Sequence, residues 1–170
     1  MRRFVPLIAL VALAMTLATT VASAGDGSLS PELTAVRAAV ARYHSVAQAE
    51  RDGYFAASPC EASPAGTMGI HYINPALFGP GNDPSRPEIL LYVPNVDGSL
   101  KLVGVEYFQV DADQDLATDA DRPSIFGRPF DGPMLGHAPG MPIHYDLHVW
   151  VAESNPAGVF SMWNPAISCP

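Results

Sequence analysis

Residues 88–110 read EILLYVPNVDGSLKLVGVEYFQV, and this stretch decides the fold. Two apolar runs, 88–94 and 100–110, flank the segment Asn95-Val96-Asp97-Gly98-Ser99. Its Asp-Gly is the chemistry of a tight reversal, so the whole predicts an antiparallel hairpin. Outward from it, residues 68–73 (MGIHYI) form a run that ends at Asn74-Pro75, and 144–152 (HYDLHVWVA) form a further strand. A weaker strand is expected at 158–163 (GVFSMW), bracketed by Asn155-Pro156 and Asn164-Pro165. The chain's 17 prolines and 14 glycines fall almost wholly beyond residue 52 and exclude further long helices there. Asn-Pro-Ala recurs at 74–76, 155–157 and 164–166 without a common period, which makes it turn chemistry and not an internal repeat.

Ahead of this β-rich part lies one helix. Ser30-Pro31-Glu32 supplies a hydroxyl N-cap, a proline at the first helical position and an acid in the first turn. Leu33, Val36, Val40, Tyr43 and Ala47 then recur at alternating spacings of three and four, the period of one helical face. Gly53 stops the pattern, so the helix is expected over 31–52. The fold class expected is α+β: one N-terminal amphipathic helix packed on a small antiparallel β-sheet or partly closed barrel. Its β-rich part covers about 66–170.

Residues 1–24 read as a cleaved secretory signal peptide. Arg2 and Arg3 precede an apolar run, and Ala22-Ser23-Ala24 offers the small residues a signal peptidase accepts. The run is short for a bilayer span, which needs roughly 20 apolar residues. That leaves 25–170 as a single globular domain, secreted and free of the membrane after cleavage. The full chain carries 9 basic against 17 acidic residues, a net charge of −8, and loss of Arg2 and Arg3 makes the balance more acidic. Such a surface argues against nucleic acid and anionic membranes as partners and suits a protein that handles cations. Cys60 and Cys169, with no CxxC pair, read as one disulfide in an oxidising compartment.

The chemistry is concentrated in MPIHYDLHVWV, residues 141–151. Alternation along a strand puts His144, Asp146, His148 and Trp150 on one face and Tyr145, Leu147, Val149 and Val151 on the other, core-forming face. His144 and His148 lie roughly 13 Å apart at the backbone and Asp146 about 6.5 Å from each, so this strand alone favours a pair of ligands over a triad. Other strands must contribute. His71 sits within MGIHYI, and Glu106 shares a face with Leu102, Phe108 and Val110, a row in which a carboxylate needs a partner. The expected metal ligands are His71, Glu106, His144 and His148. Asp146 or His137 would serve as an alternate ligand or as a group that orients one. Imidazole suits Zn, Cu, Fe and Ni, and carboxylate widens the field towards Mn, so copper and zinc stand level, with Mn and Fe admitted. A metal-free pocket doing acid–base work, and plain structural hydrogen bonding, are the competing readings of the same residues.

Two other stretches bear on function. DADQDLATDAD, residues 111–121, begins like an EF-hand loop, yet Leu116 stands where glycine is needed and Arg122 where glutamate is needed, so it reads as a solvated acidic loop. The Pro/Gly-rich loop 123–143 contains Ile125, Phe126, Phe130, Met134, Leu135 and Met141, which predicts that it packs onto the domain. No nucleophile motif, helical HExxH or phosphate-binding glycine loop is present.

On HYINP, LVGVEYF, FGRPFDGPM, MPIHYDLHVWV and NPAGVFSMWNPAISC the chain resembles a group of uncharacterised secreted bacterial proteins over nearly the whole of 25–170. The resemblance implies an exported single domain and carries no activity or catalytic residue with it. To cupin-like proteins the chain is similar in ligand inventory alone, because their HxH spacing with a nearby glutamate is missing. The function expected is a secreted metal-binding domain with a His/carboxylate site on β-strands, open to a role as a metalloenzyme acting on a small molecule. The alternative is a metal-independent binding module that uses the 123–143 loop and the aromatics.

Overall fold

The structure, a computed structural model, describes Met1 and residues 29–170. The signal peptide expected at 1–24 therefore lies, beyond Met1, outside the described residues. Helix α1 spans Pro31–Val40, a 3-10 turn spans Ala41–His44, and helix α2 spans Val46–Arg51. Strands follow at β1 (Phe55–Ala56), β2 (Glu61–Ser63), β3 (Gly66–Ile73), β4 (Ile89–Pro94), β5 (Leu100–Val110), β6 (Ser124–Ile125), β7 (Arg128–Pro129), β8 (Asp131–Met134) and β9 (His144–Val149). No helix among the described residues is long and apolar enough to cross a membrane.

The helix begins as its cap chemistry dictates: the Ser30 hydroxyl accepts the backbone N–H of Leu33 at 3.2 Å. It does not run unbroken to residue 52. Tyr92 on β4 donates its buried hydroxyl to the Tyr43 carbonyl at 2.6 Å, taking an acceptor that the helical ladder would otherwise use. The chain tightens to a 3-10 turn, Ser45 becomes extended, and a new helix starts. Leu33, Val36, Val40 and Tyr43 still pack on the sheet, each apolar side chain contributing roughly 1.5–3 kcal/mol.

The sheet is antiparallel, ordered β1-β3-β4-β5-β9-β8, with β2 sharing the β3 edge used by β1. Its path ends at β1 and β8, so the sheet does not close and the expected partial barrel is corrected to an open sheet. Closure would require β8 to pair with β1 or β2. β8 is only four residues long, and its pairing to β9 is interrupted between Asp131 and Met134. β6 and β7 form a separate hairpin. Together with β8 they give the 123–143 segment more regular structure than expected, and Phe130 within it is fully buried.

Both faces of the central strands are covered. Leu90, Tyr92, Val105, Tyr107, Tyr145, Leu147 and Val149 face the helices. Ile89, Leu91, Val93, Val103, Phe108 and Trp150 form the opposite core, packed by Phe78, Met141 and Ile167 from loops and tail. Leu102 does not share the face of Glu106. A β-bulge shifts the register between β4 and β5, pairing Leu91 with Gly104 but Tyr92 with Leu102, and this flips Leu102 to the helix side.

Residues 158–163 are not a strand. Trp150 claims this segment's carbonyls, its backbone N–H bonding to Val159 and its indole N–H to Ser161, so the chain turns instead of pairing. Asn164 then forms a short bridge with Thr67 on β3. Cys60 and Cys169 form a disulfide, which suits an oxidising compartment.

Candidate metal centre

On the face of the sheet away from the helices, register converts sequence-distant residues into neighbours. Glu106 on β5 pairs directly with His148 on β9. His71 on β3 pairs with Leu91 of β4, and Leu91 pairs in turn with Gly104 of β5, two residues before Glu106. The histidine thus reaches across the intervening strand on the same face. Glu106 Oε2 lies 3.3 Å from His71 Nε2 and 3.6 Å from His148 Nε2. One ligand-capable atom from each of the three residues falls within 4.8 Å of the others, so His71, Glu106 and His148 can hold a metal ion.

The fit rests on more than proximity. Glu106 Oε2 and His148 Nε2 are buried with no hydrogen-bond partner among the described residues, and native interiors leave few such groups unmatched. Donors held on one ion at about 2.0–2.2 Å and near-tetrahedral angles lie about 3.3–3.6 Å apart, the separation seen between the glutamate oxygen and each imidazole. His71 is also oriented. Ser58 Oγ accepts the His71 backbone N–H at 3.1 Å and lies 3.0 Å from His71 Nδ1, which leaves Nε2 for the cluster. Asp146 Oδ1 lies 3.8 Å from His148 Nδ1, on the far side of that ring from Glu106. At that distance the two are not hydrogen-bonded, and the carboxylate acts on the imidazole through its charge.

Electrostatics follow from the burial. His148 is fully enclosed, which by itself lowers an imidazole's pKa, but Glu106 and then Asp146 outweigh this and raise it to about 9. For Glu106, burial pushes the carboxyl up, while His148 and His71 more than compensate and hold it below the usual carboxylate range. The unmetallated centre therefore stores a proton on His148 that an incoming cation must displace. His71 keeps 16% of its side chain accessible, against 5% for Glu106 and 2% for His148, so the cluster opens to solvent at His71.

His144 stands apart from this triad. It pairs with Val110, four residues up β9 from His148, and its ring stacks on Phe108 at 5.0 Å between centroids. Its neighbours are Asp146, whose Oδ2 lies 3.9 Å from His144 Nε2, and His137, whose ring is 5.1 Å away and edge-on. The expected residues thus form a row across the face: His71, Glu106, His148, Asp146, His144, His137. Three of them meet at one point. Ser58 carried no sequence signal beyond its place two residues before Cys60; only the return of that segment along β3 reveals it.

The chain matches no protein-family model, no curated protein and no solved structure.

Proposed function

We propose that this protein is an extracytoplasmic metal-binding domain whose ion sits between His71, Glu106 and His148. The observation that carries the reading is the buried Glu106 Oε2 and His148 Nε2, orphaned yet spaced as co-ligands. Two imidazoles and one carboxylate are borderline donors, which favours zinc or copper and admits iron or manganese. The disulfide supports placement outside the cytoplasm, in keeping with the resemblance to secreted bacterial proteins.

Three protein ligands leave a fourth position for water or a small molecule, as catalytic zinc sites do. The exposed edge of His71 gives such a molecule its approach, and this supports a metalloenzyme over a purely structural ion, whose site would be closed by a fourth side chain. Here the ion would polarise its exogenous ligand, Glu106 would balance its charge, Ser58 would keep His71 aimed, and the charge of Asp146 would act on His148 from behind.

Metal analysis of the purified, disulfide-bonded protein tests the reading. Bound zinc or copper is expected in the native chain and is expected to fall in both His71→Ala and His148→Ala. Metal content unchanged by both substitutions refutes it.

A further inference from the structure

The row of ionisable groups does not end at the triad. His144 is completely buried. The Pro142 carbonyl lies 3.1 Å from its Nδ1 and can only accept, so Nδ1 donates there and Nε2 is directed away from that contact. That Nε2 has no hydrogen-bond partner among the described residues. What faces it is Asp146 Oδ2 at 3.9 Å, too far for a hydrogen bond. Asp131, paired with Asp146 across β8 and β9, adds further negative charge on the same side. Two ligand-capable atoms thus face one another with no hydrogen bond between them.

We infer that His144 and Asp146, completed by His137, form a second metal-ion site beside the triad. An ion about 2.0–2.2 Å from each atom would bring Nε2 and Oδ2 to about 3.5 Å, a contraction of a few tenths of an ångström from where they stand. His137 is exposed, with its ring edge-on to His144 at 5.1 Å, and its backbone N–H bonds to the Met141 sulfur at 3.4 Å. Its ligand atoms do not yet converge with those of His144 and Asp146, so completing the site requires its imidazole to swing inward from the solvent side. Two imidazoles and a carboxylate select the same borderline divalent ions as the triad, zinc or copper.

Asp146 links the two positions. One oxygen faces His148 Nδ1 at 3.8 Å and the other faces His144 at 3.9 Å. An ion on His144 draws the aspartate's charge away from His148, so filling the second site weakens the support behind the first.

The inference rests on the reading that this face binds metal, and one titration separates the two. Zinc is titrated into the metal-free, disulfide-bonded chain, and stoichiometry is read by elemental analysis and by displacement of a chromogenic chelator. The native chain is expected to take up two equivalents of different affinity. His137→Ala, a surface change that leaves the core intact, is expected to weaken only one equivalent, by about tenfold or more. His144→Gln abolishes that same equivalent, and His71→Ala abolishes the other. A single equivalent in the native chain, unaffected by His137→Ala and lost in His71→Ala, overturns the second site and leaves the triad standing. No uptake at all overturns both.

Discussion

Replacing Glu106 by glutamine probes the electrostatic core of the centre, because it removes the charge and keeps the shape. In the metal-free protein Glu106 is the main group holding His148 protonated, at a pKa near 9 against 6.5 for a free imidazole. At about 1.4 kcal/mol per unit, that difference is worth on the order of 3 kcal/mol of folding stability. The sign is fixed by the direction of the shift. With the folded pKa above the unfolded one, the stabilisation is complete below pH 6.5 and disappears as pH rises through 9. Urea unfolding of the native chain in chelator, followed by fluorescence of Trp150 and Trp163 from pH 5.5 to 9.5, is expected to show a loss of about that size. In Glu106→Gln the slope should shrink, since Asp146 and Asp131 alone remain to hold the proton against burial. Zinc reverses the trend: its uptake expels the His148 proton, so affinity should climb about tenfold per pH unit up to pH 9. Parallel pH profiles for native and variant proteins would refute the coupling of His148 to Glu106.

Two further predictions concern the scaffold. Cys60 and Cys169 are 109 residues apart, so replacing both by serine should cost up to about 5 kcal/mol by chain-entropy reasoning, read as a fall in the urea midpoint. Tyr92→Phe strips the Tyr43 carbonyl of its donor and should cost about 1–3 kcal/mol with a rise in far-ultraviolet helical signal; a change of a few tenths without that rise would show that the phenol does not break the helix.

What the sequence disclosed and what it withheld divide along the range of the interactions. The hairpin of β4 and β5 was legible because its information is local: Asn95 and Gly98 close the turn, and Asp97 accepts the Ser99 N–H, all within five residues. The alternation on β9 was legible for the same reason, and its Tyr145, Leu147 and Val149 lie in the helix-side core as their spacing demands. The helix break was not, because its cause is a phenol 49 residues away. Leu102 misled because a bulge changes strand parity without altering the apolar pattern. Residues 158–163 have the composition of a strand, but their carbonyls serve Trp150.

The site divides in the same way. That histidines and a carboxylate would sit on inward strand positions followed from alternation. That His71 joins Glu106 and His148 while His144 does not depends on two facts absent from any local stretch: β3 lies one strand beyond β5's neighbour, and β9 is registered so that residue 148, not 144, stands opposite Glu106.

The order of strands also dictates when the fold can complete itself. β5 emerges during synthesis with one hydrogen-bonding edge exposed, and that edge stays open until β9 follows from residue 144 onward. Asn164 bridging Thr67 and Cys169 meeting Cys60 are likewise pairings between residues far apart in sequence. β4 and β5 can pair as soon as both are made, whereas His148 meets Glu106 only once β9 is in place. Assembly is therefore dominated by long-range pairing and correspondingly slow.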